Sequence, residues 1–133
     1  MPLNGMVLKD AATAISVTAG TDMTFTVDGL PVANGIHLSN AAQADFRLRE
    51  NITAKYRPPV QNPDKSWKKG KWTVSYTEPS VDANGLMSYD VGRIEVELNP
   101  TSAASVGVNI RRMLAQLLTD TDLDNFYASG SQV

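Results

Sequence analysis

The sequence predicts an α+β domain in which an antiparallel sheet comes first and helices come last. Up to Leu98, apolar and polar side chains alternate in short runs, as they do in strands with one solvated face. After Asn99-Pro100, the apolar side chains recur at three- and four-residue spacing, as in a helix. Strands followed by helices are typical of α+β folds. The chain has 133 residues, a usual domain length, so we assign residues 1–133 to a single domain.

The N-terminal part is predicted to form a β-hairpin. Residues 15–19 and 23–27 both alternate with period two, and the turn-prone Gly20-Thr21-Asp22 lies between them. Met6–Leu8 adds a possible earlier strand. Ile36–Ser39 follows an Asn-Gly turn signal and is predicted to be a further short strand.

Three longer strands follow, at Asn51–Arg57, Lys71–Thr77 and Tyr89–Leu98. Pro58-Pro59 is predicted to end the first and Pro79 the second, because proline has no N–H to donate to a neighbouring strand. Residues 60–70 are predicted to be a polar connection, whereas residues 40–50 are ambiguous, with enough alanine for a helical turn but no clear apolar stripe. A polar loop is expected over residues 80–87.

Two helices are predicted at the C-terminal end. The first carries an apolar stripe from Val106 to Leu118, and the second a shorter one from Leu123 to Tyr127, with Gly130 as its end. The candidate N-caps are Thr101 or Ser102 for the first helix and Thr119 or Thr121 for the second.

Charge is distributed unevenly along the chain. Residues 47–71 hold eight lysines and arginines against two carboxylates, a local charge of +6, whereas the whole chain has −2. The remainder therefore carries −8. This asymmetry indicates a polyanionic partner, although a solvated, lysine-rich hairpin gives the same pattern.

Each long strand presents one apolar and one polar side. An antiparallel sheet can leave its polar face in water, but the apolar face needs a cover. One long helix and one short helix are narrow for a sheet of this width, so the pattern favours cover by a second subunit. The polar side combines hydroxyl, basic and aromatic side chains, which suit RNA, but a solvated face remains an alternative because threonine favours strands for its shape.

The sequence resembles the coat proteins of the leviviruses, the small single-stranded RNA bacteriophages. The resemblance extends from residue 6 to 128. It rests on Ala33-Asn34-Gly35-Ile36, on the strands 51–57 and 71–79, on Arg93–Leu98 and on the helical segment 111–118. One departure is the connection 58–70, which is longer than the tight hairpin expected in that family.

The resemblance implies a specific architecture and function. It implies an N-terminal β-hairpin, a five-stranded antiparallel sheet and two C-terminal helices, with two subunits interlocked around a ten-stranded sheet. Such dimers assemble into an icosahedral shell in the bacterial host cytoplasm, and in the virion the inner sheet face binds a genomic RNA stem-loop for packaging and translational repression. The RNA contacts that it implies here are Asn51, Thr53, Lys55, Arg57, Lys71, Thr73, Ser75, Tyr89, Val91, Arg93 and Ile36.

Other classes of function have little support in the sequence. There are no cysteines, which excludes disulfides and thiol catalysis, and no glycine-rich phosphate loop or metal-ligand spacing is present. His37 is the only histidine, and a structural role is favoured for it. We therefore expect no enzyme activity, no cofactor and no membrane partner. The alternative function is a dimeric RNA-binding regulator that forms no capsid.

Overall fold

The computed structural model describes residues 6–10, 20–119 and 124–130, and its centre is a six-stranded antiparallel sheet in the order β1-β2-β3-β4-β7-β8. The strands are β1 (Met6–Asp10), β2 (Thr21–Val27), β3 (Gly35–Asn40), β4 (Asn51–Arg57), β5 (Val60–Gln61), β6 (Trp67–Lys68), β7 (Gly70–Val81) and β8 (Met87–Leu98). The helices are a short 3-10 turn (Phe46–Leu48), α1 (Ala104–Thr119) and α2 (Asp124–Ser129). The predicted α+β class is confirmed.

The middle of the sheet follows the predicted strands closely. Asn34 adopts a positive φ of 56° at the turn before β3, a conformation that asparagine tolerates. At the next residue, a Cβ on Gly35 would lie 2.3 Å from the carbonyl oxygen of Ala54, so only glycine allows β4 to approach here. The Asn-Gly signal therefore marks a turn and a close strand contact together.

The predicted N-terminal turn is wrong. Thr21 and Asp22 lie inside β2, where they pair with Asp10 and Lys9 of β1. On the side away from β3, β2 therefore pairs with Met6–Asp10, which includes the stretch Met6–Leu8 that the sequence indicates as a further strand. The strand predicted over residues 15–19 lies outside the described residues.

Pro79 does not end its strand, because β7 continues to Val81. The neighbour on one side, β4, pairs only with residues 71–77, so among the described strands β7 has a single neighbour, β8, at Pro79. A missing N–H is tolerated at such an open edge. The loop predicted over residues 80–87 is correspondingly shorter: Asp82 and Leu86 close it, with Asp82 N–H donating to the Leu86 carbonyl at 3.0 Å.

The connection between β4 and β7 is a separate two-stranded ribbon. Its strands β5 and β6 pair Val60 with Lys68 and Gln61 with Trp67. At the base of the ribbon, a Cβ on Gly70 would meet the Pro59 ring at 3.2 Å. The sequence predicts only a polar connection here, because two residues per strand are too few to show period two.

The buried core is small. Among the described residues, Phe25, Leu38 and Ile52 are the only buried apolar side chains, and Met23, Ile36 and Tyr76 pack around them. Phe25 and Tyr76 meet edge to face, with ring centroids 6.5 Å apart. A chain of 133 residues ordinarily buries a much larger set.

Both helices are present with shifted starts. Asn99 organises the turn before α1 by accepting hydrogen bonds from the backbone and hydroxyl of Thr101, so the helix begins at Ala104 and not directly after Thr101 or Ser102. Thr119 is the last residue of α1, where its hydroxyl donates to the Ala115 carbonyl at 2.8 Å. The other candidate cap, Thr121, lies outside the described residues. Gly130, with φ 73°, ends α2 as predicted.

Candidate nucleic-acid interface

The strand register collects most of the predicted contact residues on one side of the sheet. Residues that pair directly across antiparallel strands point to the same face. We call this side the polar face. It comprises His37 and Ser39 of β3; Asn51, Thr53, Lys55 and Arg57 of β4; Lys71, Thr73, Ser75 and Thr77 of β7; and Val91, Arg93, Glu95 and Glu97 of β8.

At the centre of the polar face lies a block of hydroxyl groups with one lysine. Thr53 pairs with Ser75, and Lys55 pairs with Thr73, so the four side chains occupy two adjacent positions on two adjacent strands. The three hydroxyl residues are half-buried and Lys55 is exposed. Hydroxyls can donate to and accept from base edges, while the lysine can reach a phosphate.

The cations of the polar face are not equally available. Lys71 Nζ lies 3.0 Å from a carboxylate oxygen of Glu95 and 3.9 Å from one of Glu97. Among the described residues, Arg57 donates only to the Lys69 carbonyl, at 3.4 Å, and its buried Nε atom has no hydrogen-bonding partner there. Lys55 and Arg93 are exposed. Lys71 is therefore partly neutralised within the protein.

Ile36 does not belong to this group of residues. It pairs with Ala54 and packs against the Phe25–Leu38–Ile52 core, on the side of the sheet opposite to the polar face. The side-chain alternation of β3 brings His37 to the polar face in its place. Because the resemblance aligned an Asn-Gly motif and not a strand register, it could not distinguish these neighbours.

Two other predicted contacts lie toward one end of the face. Val91 pairs with Thr77, and Tyr89 pairs with Pro79, beyond the last residue covered by β4. Both side chains are exposed. Asp45, and to a smaller extent Tyr89, raises the pKa of Arg47, which places Tyr89 near the loop that precedes β4.

His37 lies on the polar face although it is not among the predicted RNA contacts. It pairs with Thr53, and its Nδ1 atom lies 2.7 Å from a carboxylate oxygen of Asp28. Burial raises the pKa of Asp28, but hydrogen bonds from the Leu30 backbone and from His37 outweigh it, so the pKa lies below the ordinary value. Asp28 and His37 are nine positions apart in the sequence, and no local motif predicts that they interact.

The opposite face of the sheet carries an open apolar groove. It has a volume of about 660 Å³ and lies between α1 and the strands β7 and β8. Trp72, Val74 and Ile94 line its floor and are 40–46% exposed. The helix approaches the sheet at Gly107, where an added Cβ would lie 2.9 Å from Leu98, and it leaves the rest of the groove empty.

Helix α1 is apolar over more than half of its circumference. One side, including Leu114 and Leu118, lines the groove. A second stripe, which contains Val106, Met113 and Leu117, is 42–51% exposed. At about 100° per residue, the two stripes form one arc of roughly 220°, well beyond the ~100° that covers a single surface. Arg111 also lines the groove.

The described residues provide no other kind of site. No three of their His, Asp or Glu side chains are grouped so that they could hold a metal ion. None of their helices is both long enough and apolar enough to cross a membrane.

Comparison with solved structures finds the same fold in phage particles. The chain is 35% identical to the protein in the virus-like particle of bacteriophage GQ-907, with a TM-score of 0.81 over 97% of this chain and 98% of that one. A similar fold occurs in the virus-like particle of bacteriophage ESE058, with 17% identity and a TM-score of 0.76 over 98% of this chain and 97% of that one. Another occurs in the virus-like particle of Beihai levi-like virus 21, with 12% identity and a TM-score of 0.76 over 100% of this chain and 98% of that one. No family model and no curated protein sequence matches the chain.

Proposed function

This chain belongs to the coat proteins of levi-like bacteriophages, and from that premise we propose that it dimerises, assembles into an icosahedral shell and binds a genomic RNA stem-loop. As a coat protein it is a structural component of the virion and not an enzyme. Assembly in the bacterial host cytoplasm, packaging of the genome and repression of translation by the bound stem-loop are parts of the same proposal.

The open groove and the wide apolar arc of α1 support dimerisation. A second copy of the chain offers what each subunit lacks, because its α1 has a surplus apolar stripe and its sheet has an uncovered apolar face. A two-fold pair would let each helix cover the sheet of the other subunit, which makes the contact self-complementary. A two-fold contact at the open edge strand β8 would in addition join the sheets of the two subunits into one continuous sheet.

The polar face supports RNA binding. The observation that carries this proposal is the block of Thr53, Lys55, Thr73 and Ser75. It places hydroxyl groups that can hydrogen-bond base edges beside an exposed cation. Helix α1 lies on the other side of the sheet, so the polar face stays open when a partner covers the groove. On a closed shell, this face would point inward, toward the genome.

Expression of the chain alone in bacteria tests the proposal as a whole. Electron microscopy should show closed particles, and nucleic acid extracted from them should be RNA. If the purified protein bound RNA hairpins but formed no particles under any assembly condition, the non-capsid regulator would replace the shell protein. Particles free of RNA would instead remove the nucleic-acid part of the proposal.

The loop Asp82–Leu86 is expected to make contacts between dimers. It projects beyond the sheet, and its Leu86 is 66% exposed. We expect that replacing residues 82–86 by a two-residue Asn-Gly turn, which suits a tight hairpin, will leave dimers folded but change or abolish particles. Size-exclusion chromatography and electron microscopy measure the two properties separately. Leu86→Ser is the milder control, and unchanged particles from the shortened chain would contradict the assignment.

Glu95 is expected to weaken RNA binding, because it neutralises Lys71 and adds negative charge to the polar face. We expect that Glu95→Gln will strengthen binding of any hairpin by roughly two- to fivefold at low salt, the range of an exposed ion pair, with a smaller gain at high salt. Glu78→Gln is the matched control, because it removes the same charge from β7 on the face of the sheet opposite to the polar face. Equal effects of both variants in a filter-binding titration would show that only net charge matters.

A further inference from the structure

A second concavity adjoins the polar face at the end where β4 begins. We call it the loop pocket; it has a volume of about 230 Å³, and Asp28, His37, Phe46, Arg49 and Asn51 contribute to its walls. His37 and Asn51 also belong to the polar face, so the two surfaces are continuous. The volume lies below the usual range for sites of drug-sized ligands and suits a single planar ring system.

Phe46 is presented to solvent by an ordered turn. Its side chain is 78% exposed, more than any other large apolar side chain of the described residues. The 3-10 turn that carries it is capped by Asp45, whose carboxylate accepts from the Arg47 backbone at 3.0 Å and from its guanidinium at 2.8 Å. An exposed aromatic ring on a fixed turn costs hydration free energy that a stacked partner would recover.

The polar groups of the pocket are held in place but keep spare hydrogen-bonding capacity. The Nε atom of Arg49 donates to the Gln43 carbonyl at 2.7 Å, which orients the guanidinium. Asp28 fixes the imidazole of His37 through Nδ1. Within the described part of the chain, the side-chain amide of Asn51 has no recorded hydrogen-bonding partner. In this pocket an aromatic ring can stack on the face of a nucleobase, an amide can hydrogen-bond its edge, and a guanidinium can bind the phosphate of the same nucleotide.

We propose that the loop pocket binds one unpaired nucleobase of RNA, stacked on Phe46, with Asn51 and His37 at the base edge and Arg49 near the adjoining phosphate. This inference rests on the proposed RNA-binding function of the polar face and extends it to a second subsite, outside the block around Thr53. The polar lining favours a nucleotide over an apolar contact with a neighbouring dimer. Such a site would hold a nucleotide that flanks a hairpin bound at the centre of the face.

The test compares the binding of two RNAs to dimers of the full chain. One is a hairpin taken from the genome that encodes this protein, extended by its natural single-stranded flanks; the other is the same hairpin without flanks. We expect that Phe46→Ala will weaken binding of the flanked RNA by at least fivefold, the lower end for loss of a stacking aromatic, and leave the trimmed RNA nearly unaffected. Phe46→Tyr should retain binding, because it keeps the ring.

Controls separate this subsite from the main site and from the shell. Leu86→Ala removes another exposed apolar side chain and should bind both RNAs normally. Photocrosslinking of 4-thiouridine in the flanks should label the peptide around Phe46 in the native chain. If Phe46→Ala bound the flanked RNA normally while Thr53→Ala did not, the loop pocket would be excluded and the polar-face site retained. If Phe46→Ala only disrupted particles, Phe46 would be a shell contact, and if neither variant altered binding, both RNA proposals would fall.

Discussion

Dilution is expected to unfold this protein, because the dimer that we propose leaves no stable folded monomer. Three buried apolar side chains among the described residues are a small core, and apolar side chains of β7, β8 and α1 line an open groove. If a second subunit fills that groove, the free energy of unfolding must increase with protein concentration. The midpoint of urea or thermal unfolding of disassembled dimers, followed by circular dichroism, should rise steadily as the concentration increases. Sedimentation of the same samples should detect no folded monomer.

Leu117→Asp tests the same interface by substitution. In an isolated subunit Leu117 is 48% exposed, so Leu117→Asp would cost only about 1 to 2 kcal/mol, from the lost part of the leucine burial and the lower helix propensity of aspartate. In a dimer it would be buried without a partner, at a cost of roughly 3 kcal/mol or more, and both dimers and particles should be lost. Gln116→Asp introduces the same charge on the polar side of α1 and should be tolerated. A folded Leu117→Asp monomer with native stability would rule out an obligate dimer.

The strands most accurately predicted from sequence are those with one face buried and one in water. In β4, β7 and β8, period-two alternation extends over seven or more residues, and that length fixes both the strand and its faces. The predicted strand ends are wrong where the end of a strand depends on pairing with a strand that is distant in the sequence. Thr21 and Asp22 form a turn-like sequence but join β2, because β1 pairs with them. Pro79 reads as a strand end, but at that point β7 has an open edge.

For the candidate interface, the sequence predicts which side chains of each long strand share a face, but it does not predict the strand register or the ion pairs between strands. Alternation alone separates Thr53, Thr73 and Ser75 from the apolar side chains between them. It cannot give the relative register of β3 and β4, which places His37, and not Ile36, beside Thr53. Nor can it show that Lys71 is paired with Glu95, because that pair crosses from β7 to β8. The turn around Phe46 has no periodicity of either kind, so nothing local distinguishes it from a disordered connection.

Substitutions at Thr53 and Lys55 should separate base recognition from phosphate attraction. Thr53 is uncharged and short, so it can affect RNA binding only through a hydrogen bond or close packing with a base. We expect that Thr53→Ala will cost roughly 1 to 3 kcal/mol for the cognate genomic hairpin, as for other base-edge contacts, and will leave the salt dependence unchanged. Thr24→Ala, at an exposed position on β2, should have no effect.

Lys55→Ala should show the opposite behaviour. Lys55 is exposed, pairs with Thr73 and has no recorded ion pair within the described residues, so a phosphate is its natural partner. Loss of one phosphate contact lowers the slope of log affinity against log salt by roughly 0.7 to 0.9 and weakens cognate and random hairpins alike. Calorimetric titrations of both hairpins at several salt concentrations measure the slope and the discrimination together. If Thr53→Ala weakened the two hairpins equally, the polar face would attract RNA by charge alone; if both variants bound both hairpins normally, the RNA site would lie elsewhere on the protein.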